Sequence, residues 1–212
     1  MGLGDYFKIS SPGSNINLDI YRGHYATSHS HTNYYIDISK TIAGSNQAEA
    51  VAQALAERYK STTEADTILC IDGTEVIGAY LARELTHDYH SVNSGKEIFV
   101  LKPEYTHSSQ IYFRDNTRAM IDGQRVLILA ASVVTGFTAK SAIEAIHYFG
   151  GKPVGIASIY ANINAEYGVP VESVFDPNDL SDYMSASPAE CPLCKEHVKI
   201  NGLVNMYGIS AI

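Results

Sequence analysis

Residues 126–138 read VLILAASVVTGFT and contain the pattern that decides the fold. The four apolar residues 126–129 are typical of a strand buried on both faces of a parallel sheet. Residues 135–138 supply hydroxyl groups and a glycine at the start of a predicted helix, where unpaired amides and the helix dipole can bind a phosphate. A plain strand-to-helix turn with threonine as the N-cap explains the same pattern equally well. Ala130 and Ala131 stand between strand and turn and bring no polar side chain.

The chain around this stretch alternates apolar strands with amphipathic helices. Asn46 with Glu49 three residues later is typical of a helix start, and the apolar spacing that follows predicts about four turns. The further predicted elements are strands at 66–72, 97–102, 125–131 and 153–161 and helices at 75–85 and 137–149. Near-continuous apolar strands between helices predict an α/β fold with a mostly parallel sheet flanked by helices.

Length and composition predict one domain. The chain has 212 residues, 45% of them apolar, which is enough to bury a full core. We expect a single domain over 1–212, with a core at about 46–175, an N-terminal segment at 1–45 and a C-terminal tail at 176–212.

Charge and cysteine content narrow the classes of partner. The formal net charge of −8 argues against nucleic acid as the main partner, because a duplex binder needs a basic face. No stretch approaches the ~20 apolar residues of a membrane span, and the first residues lack the order of a signal peptide. The three cysteines fit a reducing compartment, so we expect a cytoplasmic protein.

Residues 103–122, PEYTHSSQIYFRDNTRAMID, are too long for an ordinary connection. They follow Lys102 and carry His107, Arg114 and Arg118, so we predict a functional lid. Ligands of an open parallel sheet bind at the carboxyl ends of its strands. The loops predicted at that edge are 72–75, 103–122 and 130–138.

Three segments of the chain carry a resemblance to a known family. They are VLILAASVVTGFTAKSAIEAIHYFGGKPVGIASIY (126–160), SHSHTNYYID (28–37) and DGTEVIGAYLA (72–82). The first resembles the phosphoribosyl-pyrophosphate loop of the type I phosphoribosyltransferases, with its flanking strands and helix. The other two resemble the N-terminal signature and the pyrophosphate-side loop of the orotate phosphoribosyltransferases. The resemblance covers roughly residues 22–175, and the tail resembles a narrower set of bacterial proteins of this type that end in Cys-Pro-x-Cys.

The resemblance implies transfer of ribose 5-phosphate from phosphoribosyl pyrophosphate to a nitrogen of a nucleobase such as orotate. It implies Mg²⁺ bridging the pyrophosphate and ribose oxygens, and a homodimer with residues 22–37 and the lid near the two-fold interface. Such chemistry depends on positioning and on charge stabilisation, and a closing lid keeps water from the sugar cation.

The residues matched to the family fall into four groups by implied role. The 5-phosphate would be bound by Ser132, Val134, Thr135, Gly136, Phe137 and Thr138. The pyrophosphate side would be formed by Asp72, Gly73, Thr74 and Glu75, and the base side by Ser28, His29, His31, Tyr34 and Tyr35. The lid would contribute the catalytic cations Lys102, His107 and Arg114.

The chain also departs from the family pattern. The two acids that hold the ribose hydroxyls in the family fall on Ala130 and Ala131, and the arginine of the N-terminal signature is replaced by Ser30. The lid lacks the family's cluster of lysines and arginines. One alternative is therefore a catalytically weak or inactive protein that senses phosphoribosyl pyrophosphate or a nucleotide; another is a carboxylate supplied by Asp72, Glu75 or Asp115.

Cys191 and Cys194 in CPLC form half of a zinc site, because a full site needs four ligands. Completing it would require Cys70, His197 or a second subunit, and we favour reduced structural thiols over zinc. The pair His29-x-His31 has a spacing that metals use, but we favour surface or base-side roles. Tyr34 and Tyr35 are typical of strand packing, and the resemblance adds a base-stacking pocket as an alternative.

Overall fold

The computed structural model describes residues 4–12, 14–108, 110–205 and 208–212, which fall into two compact units. The terminal unit consists of Met1–Thr41 and Pro177–Ile212, and the central unit is Ile42–Asp176. The central unit nearly coincides with the predicted core of about 46–175. The single-domain interpretation stays a prediction.

The elements follow one another along the chain as follows. The strands are β1 (Asp5–Ser10), β2 (Asn17–Ala26), β3 (His31–Asp37), β4 (Thr67–Cys70), β5 (Phe99–Leu101), β6 (Glu104–Tyr105), β7 (Ile111–Tyr112), β8 (Arg125–Val133), β9 (Lys152–Ala161), β10 (Ala165–Glu166), β11 (Val169–Phe175), β12 (Ser185–Ala186), β13 (Gly202–Asn205) and β14 (Gly208–Ala211). The helices are α1 (Ser39–Ala43), α2 (Ser45–Tyr59), α3 (Glu75–His87), α4 (Asp115–Arg118), α5 (Phe137–Tyr148) and α6 (Pro192–Lys195).

The sheet of the central unit confirms the predicted fold. Its strand order is β10-β11-β9-β8-β4-β5, and all neighbours from β11 to β5 are parallel. Strand β4 is buried throughout, and β8 and β9 are buried over most of their length, as near-continuous apolar sequence predicts. Because the carboxyl ends of parallel strands lie at one edge, the loops after β4, β5 and β8 open on the same side of the sheet.

Helices cover the sheet of the central unit. Helix α5 packs its apolar residues, among them Ala142 and Ile146, into the same core cluster as Ile128 of β8. Helix α3 approaches the sheet so closely at Gly78 that a Cβ there would overlap with the sulfur of Cys70. These contacts need small or apolar residues at helical spacing, which is the pattern that predicted both helices.

Ion pairs fix the opposite, amino-terminal end of β8. Arg125 donates from Nε and Nη2 to the two carboxylate oxygens of Asp66, at 2.8 and 2.7 Å, and also pairs with Glu64. The guanidinium holds the pKa of the Asp66 carboxyl below its usual range. This bidentate contact sets the register of β8 next to β4, and with it the position of the loop at the far end of the strand.

The sheet of the terminal unit combines strands from both ends of the chain. Its order is β12-β3-β2-β13-β14, and β1 also pairs with β2. Strand β13 runs parallel to β2, with Gly202 opposite Tyr25, while β12 runs antiparallel to β3. The N-terminal segment and the tail, predicted as separate attachments, thus share one sheet. In the described parts of both units, no helix has the length and apolar character needed to cross a membrane.

Candidate phosphate-binding site

The turn between β8 and α5 lies at the carboxyl edge of the central sheet. Gly136 is the N-cap of α5 and has φ 75°, a left-handed conformation that favours glycine. Ser132, Thr135 and Thr138 are exposed, and the Phe137 ring is 59% exposed. The first amides of a helix have no partner within the helix, so this turn presents donors and the positive end of a 12-residue helix to solvent.

Two charged residues that the sequence analysis missed lie next to this turn. A Cβ at Gly136 would overlap with Oε2 of Glu166, so that carboxylate packs directly against the turn. Lys140, in the first turns of α5, has its pKa raised by a hydrogen bond to Tyr167 and by nearby carboxylates, Glu166 among them. The turn is therefore flanked by one anion and one cation, and neither is marked by a local sequence pattern.

The loop after β4 is held in a strained conformation against β8. Asp72 has φ 59° and Gly73 has φ 82°, so two consecutive residues are left-handed. Thr74 is fully buried, and its hydroxyl hydrogen-bonds to the backbone oxygens of Ile71 and Leu129, at 2.9 and 3.0 Å. Burial raises the pKa of the Asp72 carboxyl. The predicted pyrophosphate-side residues thus form a rigid loop at the same edge as the phosphate turn.

The predicted lid contains a hairpin, formed by β6 and β7, and the short helix α4. The first predicted lid cation, Lys102, pairs with Glu75 at 3.2 Å. Arg114, another predicted lid cation, donates from Nε and Nη2 to Glu104 at 2.7 and 2.8 Å. His107 is exposed in the hairpin turn. Lys102 and Arg114 are therefore both paired with carboxylates. All four side chains are at least one-third exposed, so replacing these carboxylates by other anions costs little free energy.

The lid hairpin also approaches the loop after β4. Burial raises the pKa of Tyr105 in β6 to about 12, and the charge of Asp72 adds to that shift. The structure therefore brings the lid and the pyrophosphate-side loop together at one edge of the central unit.

Comparison with known proteins shows which proteins this chain resembles. No protein-family profile matches the chain. The chain is 26% identical to an orotate phosphoribosyltransferase of Caldanaerobacter subterraneus subsp. tengcongensis over 184 residues, which are 85% of this chain and 88% of the relative. The orotate phosphoribosyltransferase of Mycobacterium tuberculosis H37Rv, in complex with Fe(III) dicitrate, superposes with a TM-score of 0.53 at 20% identity, over 77% of this chain and 92% of that one. Another structure of it, in complex with phosphoribosyl pyrophosphate, gives 0.50 at 18% identity, over 69% and 83%.

The fold is that of the type I phosphoribosyltransferases. The sequence similarity to orotate phosphoribosyltransferases extends over most of the chain.

Ala130 and Ala131, where the resemblance places the family's two acids, lie inside β8. The predicted strand ended at Ala131, whereas β8 continues to Val133. The two alanine side chains are 1% and 3% exposed, and Ala130 belongs to the hydrophobic core cluster. Neither position opens into water in this structure, so the exposed part of the site begins at Ser132.

The predicted base-side residues all lie in the terminal unit. Ser28 and His29 are exposed in the turn between β2 and β3. Tyr34 is 2% exposed and donates its hydroxyl to Asp182 at 2.6 Å, and Tyr35 is 8% exposed. Both tyrosines take part in strand packing, and their role in binding a base stays a prediction.

The fifth predicted base-side residue, His31, lies beside the two cysteines of the tail. Its Nδ1 is 3.2 Å from the sulfur of Cys194, and the sulfur of Cys191 is 3.6 Å from Nε2 of His24. Neither Cys70 nor His197, the predicted additional partners, is part of this group. The sequence analysis missed His24, because it is 167 residues from Cys191 and no local pattern relates the two.

Proposed function

We propose that this protein is a phosphoribosyltransferase of the orotate type, which takes ribose 5-phosphate from phosphoribosyl pyrophosphate and attaches it to a nucleobase such as orotate. The observation that carries the proposal is the turn 135–138 at the start of α5, in which Gly136 is left-handed and both threonine residues are exposed. Sequence similarity to orotate phosphoribosyltransferases over 85% of the chain supports the choice of substrate class.

In the proposed reaction, the turn binds the 5-phosphate through its amides and through the hydroxyls of Thr135 and Thr138. The bond between C1 of the ribose and the pyrophosphate oxygen breaks, and pyrophosphate leaves with the electron pair. A ring nitrogen of the base forms the new bond to C1 and gives up its proton to an oxygen of the leaving pyrophosphate. The protein contributes mainly by positioning both reactants and by stabilising the charge on the leaving pyrophosphate.

The lid cations would act on that leaving group. Lys102 and Arg114 have carboxylate partners, Glu75 and Glu104, in the ligand-free protein. Pyrophosphate carries more charge than one carboxylate, so both cations would exchange these partners for phosphate oxygens when the lid closes. His107 at the tip of the hairpin would reach the pyrophosphate in the same movement.

Mg²⁺ fits this site as an ion that arrives with the substrate. It prefers oxygen ligands and is commonly bound by one or two carboxylates together with substrate phosphates. Asp72 offers one such carboxylate at the edge of the sheet, and Glu75 offers another that is shared with Lys102. When bound, the ion would neutralise charge on the pyrophosphate.

A second candidate function is binding without turnover. Ala130 and Ala131 have buried side chains that cannot accept hydrogen bonds from the ribose hydroxyls. Each lost hydrogen bond to a charged group is worth about 1.5–3 kcal/mol. The 5-phosphate contacts do not depend on these positions, so a sensor of phosphoribosyl pyrophosphate or of a nucleotide would retain affinity while losing catalysis.

We further propose a cytoplasmic homodimer, with residues 22–37 and the lid near its two-fold axis. This assembly follows from the resemblance to orotate phosphoribosyltransferases. Light scattering at micromolar protein tests it, and a monomer would contradict it.

Two measurements on the purified full chain test the proposed function. Pyrophosphate release from phosphoribosyl pyrophosphate, with orotate and Mg²⁺, reports turnover, and calorimetric titration with ribose 5-phosphate reports binding. Release that depends on orotate supports the transferase, whereas binding without release supports the sensor. Absence of both overturns the phosphoribosyl interpretation.

A matched pair of variants locates the binding. Thr138→Ala removes one hydroxyl from the turn and is expected to weaken ribose 5-phosphate binding roughly 10-fold or more. Thr62→Ala removes a hydroxyl from an exposed position elsewhere in the central unit and should leave affinity unchanged. Equal affinity in both variants would place the phosphate elsewhere.

A further inference from the structure

Four metal-ligating side chains converge at one point in the terminal unit. They are His24 from β2, His31 from β3, and Cys191 and Cys194 from the tail segment around α6, and their ligand atoms all lie within 4.8 Å of one another. His24 and Cys191 are fully buried, and the other two are partly buried. Two neighbouring strands and one tight turn thus point nitrogen and sulfur atoms at the same small volume.

The separations match those of a tetrahedral metal site. Bonds of about 2.0 Å to nitrogen and about 2.3 Å to sulfur place neighbouring ligand atoms roughly 3.3 to 3.8 Å apart at tetrahedral angles. Nε2 of His24 lies 3.0 Å from Nδ1 of His31, 3.6 Å from the sulfur of Cys191 and 3.7 Å from that of Cys194. Nδ1 of His31 lies 3.2 Å from the sulfur of Cys194, and all six separations among the four ligand atoms are within 4.8 Å. The two shortest distances both involve His31, so a shift of a few tenths of an ångström in that ring brings them to the expected values.

Contacts behind the cluster orient His24 as a ligand. Its Nδ1 lies 2.8 Å from the backbone oxygen of Val198, an acceptor that requires a proton on Nδ1. The lone pair is then on Nε2, the atom that faces the cluster. Asn201 fixes the backbone of His24 through two hydrogen bonds. Its side-chain Oδ1 accepts from the backbone N–H of His24 at 2.8 Å, and its backbone N–H donates to the backbone oxygen of His24 at 2.7 Å. Metal-binding histidines characteristically donate their other ring nitrogen to a backbone oxygen in this way.

The tail supplies the two sulfurs from one tight turn. Cys191 precedes the four-residue helix α6, whose first residue is Pro192. The amide of Lys195 donates to the oxygen of Cys191 at 3.2 Å, and the amide of His197 donates to that of Cys194 at 3.0 Å. A Cys-x-x-Cys turn of this kind holds both sulfurs on one side, as in structural zinc sites.

A cluster held together by hydrogen bonds alone satisfies these groups poorly. With Nδ1 of His24 protonated, the acceptor at Nε2 has one lone pair, while His31 and both thiols approach it within 3.7 Å. One lone pair serves one donor well, so the other polar groups would be buried with weak contacts. A divalent cation with two thiolates and two neutral imidazoles satisfies all four groups at once.

We propose that His24, His31, Cys191 and Cys194 bind one zinc ion with a structural role. Two sulfur and two nitrogen ligands in a tetrahedral arrangement select zinc among the common divalent ions, and four protein ligands leave no open position for catalysis. The ion joins the hairpin of β2 and β3 to a tail more than 160 residues away in the chain. It therefore holds together the sheet in which β13 pairs with β2.

The first test uses the unmodified full chain, purified without chelators under reducing conditions. Elemental analysis is expected to find about one zinc ion per chain after exhaustive dialysis. After removal of zinc, titration with Co²⁺ is expected to give the intense visible bands of a tetrahedral site together with a sulfur-to-cobalt charge-transfer band. A zinc-free protein whose Co²⁺ spectrum lacks these bands would overturn the proposal without any variant.

The second test assigns the ligands. Cys194→Ser and His31→Ala each remove one ligand and are expected to lower zinc content at least 10-fold after dialysis and to weaken the Co²⁺ bands. The controls are Cys70→Ala, at a cysteine outside the cluster, and His29→Ala, at an exposed histidine of the same hairpin; both should retain the metal. Zinc that persists in both ligand variants, or is lost equally in the controls, would show that the ion is bound elsewhere.

Discussion

The two halves of the stretch 126–138 follow one another directly, yet their environments are opposite. The side chains of Ala130 and Ala131 are 1% and 3% exposed, whereas the Phe137 ring is 59% exposed and Thr138 is open to solvent. In the second half, Thr135, Phe137 and Thr138 are exposed to solvent, while Gly136 is buried against the carboxylate of Glu166. Contacts from the first half would require strand β8 to open, because its side chains are part of the core.

This difference separates two parts of the proposed chemistry. The proposed 5-phosphate site would use backbone amides and exposed hydroxyls, which do not depend on the side chains at the end of the strand. The ribose contacts that the family resemblance implies would instead need polar side chains at the two alanine positions. Loss of those contacts therefore removes catalytic assistance more readily than phosphate affinity, and three substitutions test how sharp the boundary is.

The largest expected effect comes from placing a charge on the buried side of the boundary. Ala130→Glu puts a carboxylate into the core, and we expect the free energy of unfolding to fall by roughly 4 kcal/mol or more near neutral pH. Burial raises the pKa of the new carboxyl in the folded state above its unfolded value of about 4.3. The loss of stability therefore grows as the pH rises above that value and is smaller in acid, apart from the steric contribution, which does not depend on pH.

Urea unfolding at about pH 5 and about pH 8 measures this difference. Ser132→Glu, two residues further along the strand and exposed, is the control and should change stability by no more than about 0.5 kcal/mol. Equal, small effects at both positions would mean that the end of β8 already faces water, and the boundary drawn at Ser132 would be wrong.

The elements on the two sides of this boundary differ in how well the sequence predicts them. Strands β8 and β9 were predictable because they are near-continuous apolar runs, and helix α5 because its apolar residues repeat with the helical period. The end of β8 was placed at Ala131 instead of Val133, since alanine, serine and valine are compatible with both strand and loop. The sheet of the terminal unit was not predictable, because the pairing of Tyr25 with Gly202 joins residues at opposite ends of the chain.

The residues of the candidate sites also differ in how well the sequence predicts them. The proposed phosphate turn is contiguous in sequence, so its glycine and threonines could be predicted from their order and from the family resemblance. Glu166 beside the turn and His24 beside the cysteines were missed, because each contact exists only after distant segments have packed. The conformation of Asp72 was also beyond the sequence, since a positive φ outside glycine follows from the surrounding packing.

An intermediate effect is expected at the anion that lies against the turn. Glu166→Gln removes a negative charge next to the place where a phosphate would bind, while keeping the size of the side chain. We expect affinity for ribose 5-phosphate to rise by roughly 3- to 10-fold at low salt, about 1 kcal/mol for a partly exposed charge pair. The gain should shrink at high ionic strength because salt screens the repulsion.

Calorimetric titration at two salt concentrations measures the gain. Glu144→Gln, which removes an exposed charge further along α5, is the matched control and should change affinity much less. Weaker binding by the Glu166 variant would show that this carboxylate supports the turn or contacts the ligand, and the turn would then not be a self-sufficient anion site.

The smallest expected effect concerns Asp72, at the other loop of the same edge. Burial raises the pKa of its carboxyl in the folded state, so the charged form is disfavoured there. The stabilisation of the protonated form is present below the unfolded pKa and is lost as the pH rises through the folded one.

Asp72→Asn should therefore raise the free energy of unfolding at pH 8, on the order of 0.5 kcal/mol, and this gain should fade toward pH 4. Asparagine adopts the left-handed conformation of this position as readily as aspartate, so the substitution adds no backbone strain. The control is Asp115→Asn, at an exposed carboxylate, for which no gain is expected at either pH. If the Asp72 variant is instead less stable at pH 8, the charged carboxylate makes a stabilising contact within the protein. The loop would then be structural, like the buried half of the stretch 126–138, and not open to a ligand.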